Sequence, residues 1–322
     1  MKNITVLTVL VIIASIFFLT APLYSQNQFE KEYIFSLGTG FGFVYGQSFE
    51  IVYPVNTPAK YLSELSWDMA PVLYAGLQAD FLQVNAVRKA DIFTSLTFNV
   101  GLPFESGSIE NRDWLDQHSD ALTDFSKHTN KTREFYWLDA AFGVSIPVIN
   151  LFYIKPFFSG SWMRFAFTGK DGYGEYAGLN PPSISYDGKE VLRYEQNWLI
   201  AAAGLSIGAK IASVLNLELS FQMSPLIYCM ARDDHLPVYI AEFNNTTNHR
   251  IYKDYMGFGM FIEPKAKVSL VMKNSDLSFD VAYRYIGGTT GITYINEGNM
   301  STNASGSGLS VLNTRFIARF SF

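Results

Sequence analysis

Two stretches of the chain alternate between apolar and polar side chains, one residue at a time. In residues 215–223 the odd positions are apolar, from Leu215 to Met223, and the even positions are polar. Residues 277–285 repeat this pattern with apolar odd positions. A period of two places the two sets on opposite faces of an extended strand, so both stretches predict β-strands. Strands of soluble β-sandwiches also alternate, so this pattern alone does not place the sheet in a membrane.

Extending the pattern along the chain predicts ten strands and an all-β fold. An even number suits a ten-stranded antiparallel transmembrane β-barrel. Many of the strands are predicted to exceed the roughly 9–11 residues that cross a bilayer, so we expect the barrel to extend above the membrane. Short turns at 149–150 and near 213 alternate with long connections at 105–131, 172–189, 233–248 and 291–305. The strands are predicted at 33–54, 59–80, 90–104, 132–149, 151–171, 190–212, 213–232, 249–271, 276–290 and 306–322.

Both ends of the chain favour an outer-membrane barrel. Lys2, an apolar stretch from Ile4 to Leu19 and the small residue Ser25 predict a signal peptide over residues 1–25. Residues 26–322 would then form the barrel. The last strand ends at Phe322 with further apolar residues on the same face, which is typical of outer-membrane barrels. Only closed barrels and helices satisfy their backbone polar groups in hydrocarbon.

Composition agrees with a large apolar surface. Hydrophobic residues make up 48% of the chain and charged residues 16%, whereas an average soluble domain is about 25% charged. The formal net charge of -5 argues against a nucleic-acid partner. Cys229 is the single cysteine, so no disulfide can form within the chain. It lies in an apolar run, where packing is the expected role.

Three polar clusters are predicted near the extracellular rim of the barrel: residues 110–114, 123–128 and 233–235. In the third, Asp233 and His235 are two residues apart, so their side chains point the same way in a strand. A carboxylate beside a histidine fixes its tautomer and raises its pKa, which favours a general base near neutral pH. Each cluster taken alone is also compatible with an ordinary solvated rim.

Taken together and in chain order, these clusters resemble the omptin family of outer-membrane proteases. One family motif is Trp-Thr-Asp-x-Ser-x-His; Leu122 replaces its Trp, and the matching residues are Thr123, Asp124, Ser126 and His128. A second motif is Arg-aromatic-Ser-aromatic-Thr; Ala166 replaces its Ser, and the matching residues are Arg164, Phe165, Phe167 and Thr168. The resemblance covers the predicted mature chain and implies a ten-stranded barrel with a protease groove at its extracellular end.

The resemblance also implies the catalytic residues. Asp233 and His235 match the family's Asp–His pair, and Asp113 matches one residue of its Asp-x-Asp pair. The other residue of that pair is Asn111 here, and an amide cannot accept a proton or carry charge. The implied mechanism is that of an aspartic-type endopeptidase in which water attacks a peptide carbonyl. His235 would take the proton of this water.

Substrate and lipid contacts follow from the same resemblance. Glu50 falls at an acidic specificity position, which implies a preference for basic residues, while Ala231 falls where a second acid is expected. Ser126 and His128 would line the groove. Arg164 and Lys253 fall where the family contacts lipopolysaccharide, which could be needed for activity. We expect no metal and no other cofactor.

Two other functions remain open at this point. Because Asn111 replaces an acid, the chain could be a catalytically impaired barrel that acts as an adhesin or binding protein. It could also be a small outer-membrane channel or structural barrel, although ten strands leave a narrow lumen filled by side chains. The expected partners are a peptide or protein outside the cell and the lipid of the outer membrane, with the chain itself a monomer.

Overall fold

The computed structural model describes residues 33–54, 61–87, 90–116, 119–149, 151–180, 182–211, 214–240, 245–296 and 299–322. The predicted signal peptide therefore lies outside the described residues. The described elements are all strands. Among these residues no helix is long and apolar enough to cross a membrane. In chain order the strands are β1 Tyr33–Tyr53, β2 Ser63–Val87, β3 Ala90–Gly101, β4 Glu105–Asp113, β5 Asp124–Ile149, β6 Phe152–Tyr176, β7 Ser183–Ser185, β8 Glu190–Ile211, β9 Leu215–His235, β10 Tyr239–Ile240, β11 Asn245–Thr246, β12 Arg250–Gly257, β13 Met260–Val271, β14 Ser275–Gly287, β15 Thr290–Ile295 and β16 Asn299–Ser321.

The main sheet closes on itself. Antiparallel pairing runs from β1 through β2, β3, β5, β6, β8 and β9 to the strands at the end of the chain, and β16 pairs with β1. The ring has ten positions because three of them are each built from two consecutive strands. These are β3 with β4, β12 with β13, and β14 with β15. This arrangement confirms the predicted ten-stranded antiparallel barrel.

Several strands extend further than the sequence predicted. The predicted loop 105–131 is wrong, because Glu105–Asp113 and Asp124–Ile149 are strands that pair with each other. The predicted loop 291–305 is also mostly strand, since β15 ends at Ile295 and β16 begins at Asn299. Backbone hydrogen bonds of the ring continue through these segments. These segments extend one end of the barrel, and we call this end the rim. The rim includes the ends of the paired strands β4 and β5 and of the paired strands β9 and β12.

The outer face and the lumen have opposite character. Exposed apolar side chains form a belt around the lower part of the ring, with Phe41 65%, Leu77 65%, Phe158 72% and Leu219 67% exposed. Large apolar side chains fill the lumen toward the rim; they include Trp67, Trp137, Phe165, Tyr194 and Trp198. Below them the lumen holds buried ion pairs, among them Arg284–Glu263, Arg315–Asp280 and Arg319–Asp276.

Candidate active site

The Asp–His pair lies at the rim end of β9. Both side chains point into the ring, as their spacing predicts, and His235 Nε2 lies 2.7 Å from Asp233 Oδ2. The Asp233 side chain is buried, whereas 42% of the His235 side chain is exposed. Because a carboxylate can only accept, Nε2–H of the neutral ring donates to Asp233. The lone pair of Nδ1 is then available as a base.

Two opposing effects set the basicity of His235. Burial lowers its pKa, but the negative charge of Asp233 and the hydrogen bond to it raise the pKa, and Asp113 adds to this rise. The net result is a pKa above the ordinary value for histidine. A raised pKa makes the neutral imidazole a stronger base than a free histidine.

A second acidic group stands on β4. The Asn111 amide donates to Asp113 Oδ2 at 2.9 Å, and Ser63 Oγ donates to Asn111 Oδ1 at 3.4 Å. Burial raises the pKa of Asp113, and the neighbouring Asp124 raises it further. The Asn111 amide is therefore a hydrogen-bond donor that holds the Asp113 carboxylate in a fixed orientation. Glu110 does not take the place of the missing acid, since it pairs with Arg112 and Lys127 on the other face of the strand.

The acidic residues of β4 and the Asp–His pair of β9 act on each other electrostatically. The charges of Asp113 and His235 each shift the pKa of the other, so the two groups interact electrostatically. Asp124 on β5 is the cross-strand partner of Asp113. The sequence placed Asp124 in a family motif but gave it no role. Its pairing with Asp113 depends on the β4–β5 hairpin, whose residues were predicted to form a loop.

Ser126 and His128 also point into the ring, on β5. Ser126 is the cross-strand partner of Asn111. His128 Nδ1 donates to the backbone carbonyl of Asp171 at 2.7 Å. Burial lowers the pKa of His128, which favours the neutral ring. Ser126 and His128 therefore lie on the inner face of β5, beside Asn111 on the neighbouring strand β4.

Glu50 lies deeper in the ring, on β1, and is buried. It accepts a hydrogen bond from the Tyr194 hydroxyl. Burial raises the pKa of Glu50 well above its ordinary value, and the charges of Asp254 and Asp233 raise it further. Asp254, on the inner face of β12, was missed in the sequence analysis. Polar and apolar residues are mixed along β12, so the sequence does not indicate that Asp254 lies beside Glu50.

The residues predicted to contact lipid lie on the outer face. Arg164 donates to Glu134 at 2.7 Å and to Glu195 at 3.1 Å. Its charge is therefore balanced within the protein. Among the described residues Lys253 forms no ion pair, and it is the cross-strand neighbour of Arg232. A nearby outward cavity of about 180 Å³ is lined by Arg133, Arg193, Glu195, Arg232 and Asp234.

Histidine, cysteine and acidic side chains do not gather into a group that could hold a metal ion anywhere in the described part of the chain.

Comparison with known proteins gives a consistent picture. The model of the Omptin family matches residues 31–320. The plasminogen activator of Yersinia pestis is 24% identical over 258 residues, which cover 73% of each chain. The crystal structure of the outer membrane protease OmpT from Escherichia coli superposes with a TM-score of 0.73 at 15% identity. That match covers 92% of this chain and 99% of the other.

Proposed function

The chain belongs to the Omptin family, a family of outer-membrane proteases, and from that membership we propose that it is a surface endopeptidase. The observation that carries the proposal is the His235–Asp233 pair, held at 2.7 Å at the rim, where the charge of Asp113 also acts on His235. The protein is located in the outer membrane, and the groove opens at the rim above the apolar belt. Its substrates would be peptides or proteins outside the cell.

The proposed reaction uses water as the nucleophile. Nδ1 of His235 takes a proton from the water while the water oxygen bonds to the carbon of the scissile peptide carbonyl. The resulting imidazolium is stabilised by the Asp233 carboxylate. It then gives its proton to the nitrogen of the scissile bond, as the C–N bond breaks and the carbonyl double bond of the new carboxyl group forms. Asp113 accepts a hydrogen bond from the water on the opposite side. Each oxygen and nitrogen must lie within roughly 2.6–3.2 Å of its partner in the complex with substrate.

Asn111 limits this mechanism without excluding it. Its amide cannot take up a proton, but it donates to Asp113 and keeps that carboxylate in a fixed orientation. In the proposed reaction His235 takes the proton of the water, and Asp113 is the one carboxyl group on β4 that can assist it. We accordingly expect a protease that is slower than one with two carboxylates on this strand.

The proposal includes a preference for basic residues and a role for lipid. Glu50 supports the preference, because a buried carboxylate at the groove floor attracts a cationic side chain. Lys253, which forms no ion pair among the described residues and lies opposite Arg232, supports binding of lipid phosphates. Arg164 is included by its position in the family, although Glu134 and Glu195 balance its charge. Lipopolysaccharide would therefore be needed for full activity. We also propose that the protein acts as a monomer, because its ring closes within one chain.

A second function, that of a catalytically impaired adhesin or binding protein, is favoured by one observation. The chain has Asn111 at a position where the resemblance to the family motif implies an acid. Such a protein would keep the groove but would bind its partner without cleaving it. A channel is a weaker alternative, since aromatic side chains and ion pairs occupy the lumen.

The decisive experiment measures peptide cleavage by refolded protein with and without lipopolysaccharide. We expect arginine- or lysine-containing peptides to be cleaved, and His235→Ala to lower kcat/KM by about 10²–10⁴-fold because the general base is lost. His249→Ala is the matched control, since His249 pairs with Asp234 away from the groove. Full activity in His235→Ala would contradict the mechanism. Arginine-selective binding without cleavage would support the binding protein.

A further inference from the structure

Asp254 lies directly opposite Ala231. The two residues are cross-strand partners in the pairing of β12 with β9. Both are buried, with Asp254 1% exposed. Directly opposed residues of antiparallel strands have Cβ atoms about 4.5–5.5 Å apart. The carboxylate of Asp254 therefore starts from a backbone position adjacent to that of Ala231, on the neighbouring strand.

The surroundings of Asp254 leave part of its hydrogen-bonding capacity unused. Thr293 donates to Asp254 Oδ1. Asp254 Oδ2 and Asp233 Oδ1 are buried and meet no well-aligned hydrogen-bond donor among the described residues. Glu50 is in direct side-chain contact with Asp254, so the two carboxyl groups can share a proton. Three carboxyl groups thus converge below His235, and two of them present an unpartnered oxygen.

Other buried acids in the lumen are arranged differently. Each is paired with an arginine: Glu263 with Arg284, Asp280 with Arg315, and Asp276 with Arg319. Among the described residues neither Glu50 nor Asp254 forms an ion pair with a lysine or an arginine. A buried charge without a partner is costly, so a site of this kind either holds a proton or receives a cation from outside.

When no cationic ligand is bound, protons reduce the negative charge of these carboxyl groups. Burial raises the pKa of Glu50, and the charges of Asp254 and Asp233 raise it further. Burial likewise raises the pKa of Asp254 to about 6. The groups that face this site are Glu50 from β1, Tyr194 from β8, Asp233 and Cys229 from β9, and Asp254 from β12. Thr293 from β15 and Ser305 from β16 also approach Asp254, and His235 pairs with Asp233. Among these side chains only His235 can carry a positive charge, and it lies beside Asp233, whereas no lysine or arginine that the structure describes pairs with Glu50 or Asp254. A ligand with a positive charge at the end of a long side chain would supply the cation that Glu50 and Asp254 do not find in the described part of the chain.

We propose that Asp254 is a specificity residue that, together with Glu50, receives the cationic side chain of a substrate lysine or arginine next to the bond to be cleaved. This inference rests on the proposed function and extends it. It means that the acid missing at Ala231 is replaced from the adjacent strand. The preference for basic substrates would then depend on two carboxylates, one from β1 and one from β12.

The test measures binding, so that it does not depend on cleavage. Fluorescence anisotropy of a labelled peptide with one arginine would be compared with the same peptide carrying neutral citrulline, using refolded His235→Ala protein in lipopolysaccharide. We expect Asp254→Asn to weaken binding of the arginine peptide by on the order of tenfold to a hundredfold, as expected for a lost charged hydrogen bond. Binding of the citrulline peptide should change little.

Two further variants make the result specific. Asp187→Asn removes an exposed loop carboxylate and should leave both affinities unchanged. Adding Ala231→Asp to Asp254→Asn should restore arginine selectivity, because it returns a carboxylate to the partner position. Retained barrel structure of each variant would be checked by its resistance to unfolding in detergent. Unchanged arginine selectivity in Asp254→Asn would overturn the proposal.

The outcomes separate this inference from the proposed function. If the wild type binds arginine peptides selectively through Asp254 but cleaves none, the protease proposal fails and the inference stands. If the wild type cleaves arginine peptides and Asp254→Asn keeps the same preference over citrulline, the inference fails alone. Absence of any selective binding of the arginine peptide overturns the inference directly.

Discussion

The charge state of His235 depends on the side chain two residues before it. Asp233 raises the pKa of the imidazole against the effect of burial. Since the base must be neutral, kcat/KM should fall as the pH drops through this raised pKa. In Asp233→Asn the negative charge that opposes the effect of burial is lost, so the pKa of His235 falls. The acid limb of the kcat/KM profile should then move to lower pH, and the maximum of kcat/KM should be smaller. Profiles of kcat/KM against pH measure both changes.

A matched control for this experiment is Asp234→Asn. Asp234 pairs with Arg232 and His249 instead of His235. Its replacement should leave the acid limb of the profile in place. An acid limb that stays fixed in Asp233→Asn would show that His235 is not the titrating base.

Asn111 offers a test in the direction of increased activity. Asn111→Asp is isosteric and would place a second carboxyl group beside Asp113, where the amide now donates at 2.9 Å. Two carboxyl groups so close raise one pKa, and a shared proton then replaces the lost hydrogen bond. We expect faster cleavage of basic peptides, measured as kcat/KM in lipopolysaccharide. If both wild type and Asn111→Asp are inert, the binding-protein function takes the place of the protease.

Residue types and spacing could predict part of the site. The two-residue spacing of Asp233 and His235 places both on one face of a strand without any knowledge of the fold. The closeness of Asp254 to Ala231 is different, because it depends on the register between β9 and β12. A single sequence contains no direct signal for register where both strands are mixed in character.

At the level of elements, the hairpin of β4 and β5 was the main error. Hydrophobic alternation identifies a strand only where one face meets lipid or a core. Near the rim, β4 exposes Glu110 and Arg112 on one face and carries Asn111 and Asp113 on the other. With polar residues on both faces, a strand resembles a loop in sequence. The groove is built from this part of the chain, so its geometry could not be predicted.

Gly172 in β6 lies so close to the backbone of β5 that there is no room for a side chain at this position. Its φ is +90°, and an added Cβ would lie 1.9 Å from the carbonyl oxygen of Lys127 and 3.0 Å from the Cα of His128. Gly172→Ala should therefore displace this part of β5 and lower activity. We also expect a loss of stability of about 1–3 kcal/mol, since the strained backbone conformation adds to the clash.

Thermal unfolding and peptide cleavage together measure this effect. Gly178→Ala is the matched control, because an added Cβ there meets no atom within 4 Å. The control should retain both stability and activity. Equal behaviour of the two variants would mean that the close approach at Gly172 does not constrain the groove.

For the whole molecule, the number of strands and the membrane location could be predicted from alternation, strand length and chain ends. The closure of the ring could be expected only from the physical argument that open edges are not tolerated in lipid. The pairing of β1 with β16 satisfies that argument. The contents of the lumen were predicted only in outline. Pairs such as Arg284 with Glu263 join distant strands, and a single sequence does not indicate such partners.

The filled lumen leads to a prediction about conductance. Buried ion pairs and aromatic side chains occupy the interior, and the guanidinium of Arg284 stacks 4.2 Å from the ring centre of Trp137. Single-channel recordings of the refolded protein in planar bilayers should show no stable open state. A known porin inserted under the same conditions would serve as the positive control. A large and steady current would instead support a channel.

The height of the barrel sets a stand-off distance between the chemistry and the lipid surface. On β9 the last outward apolar residue that is exposed is Met230, and His235 lies five positions further along the strand. At ~3.3 Å per residue along a strand tilted by ~35–45°, this corresponds to a rise of about 12–14 Å. Peptide bonds held flat against the headgroups lie below the reach of the imidazole. For the proposed protease, this geometry would favour flexible segments that approach from the surrounding medium over the proteins embedded beside the barrel.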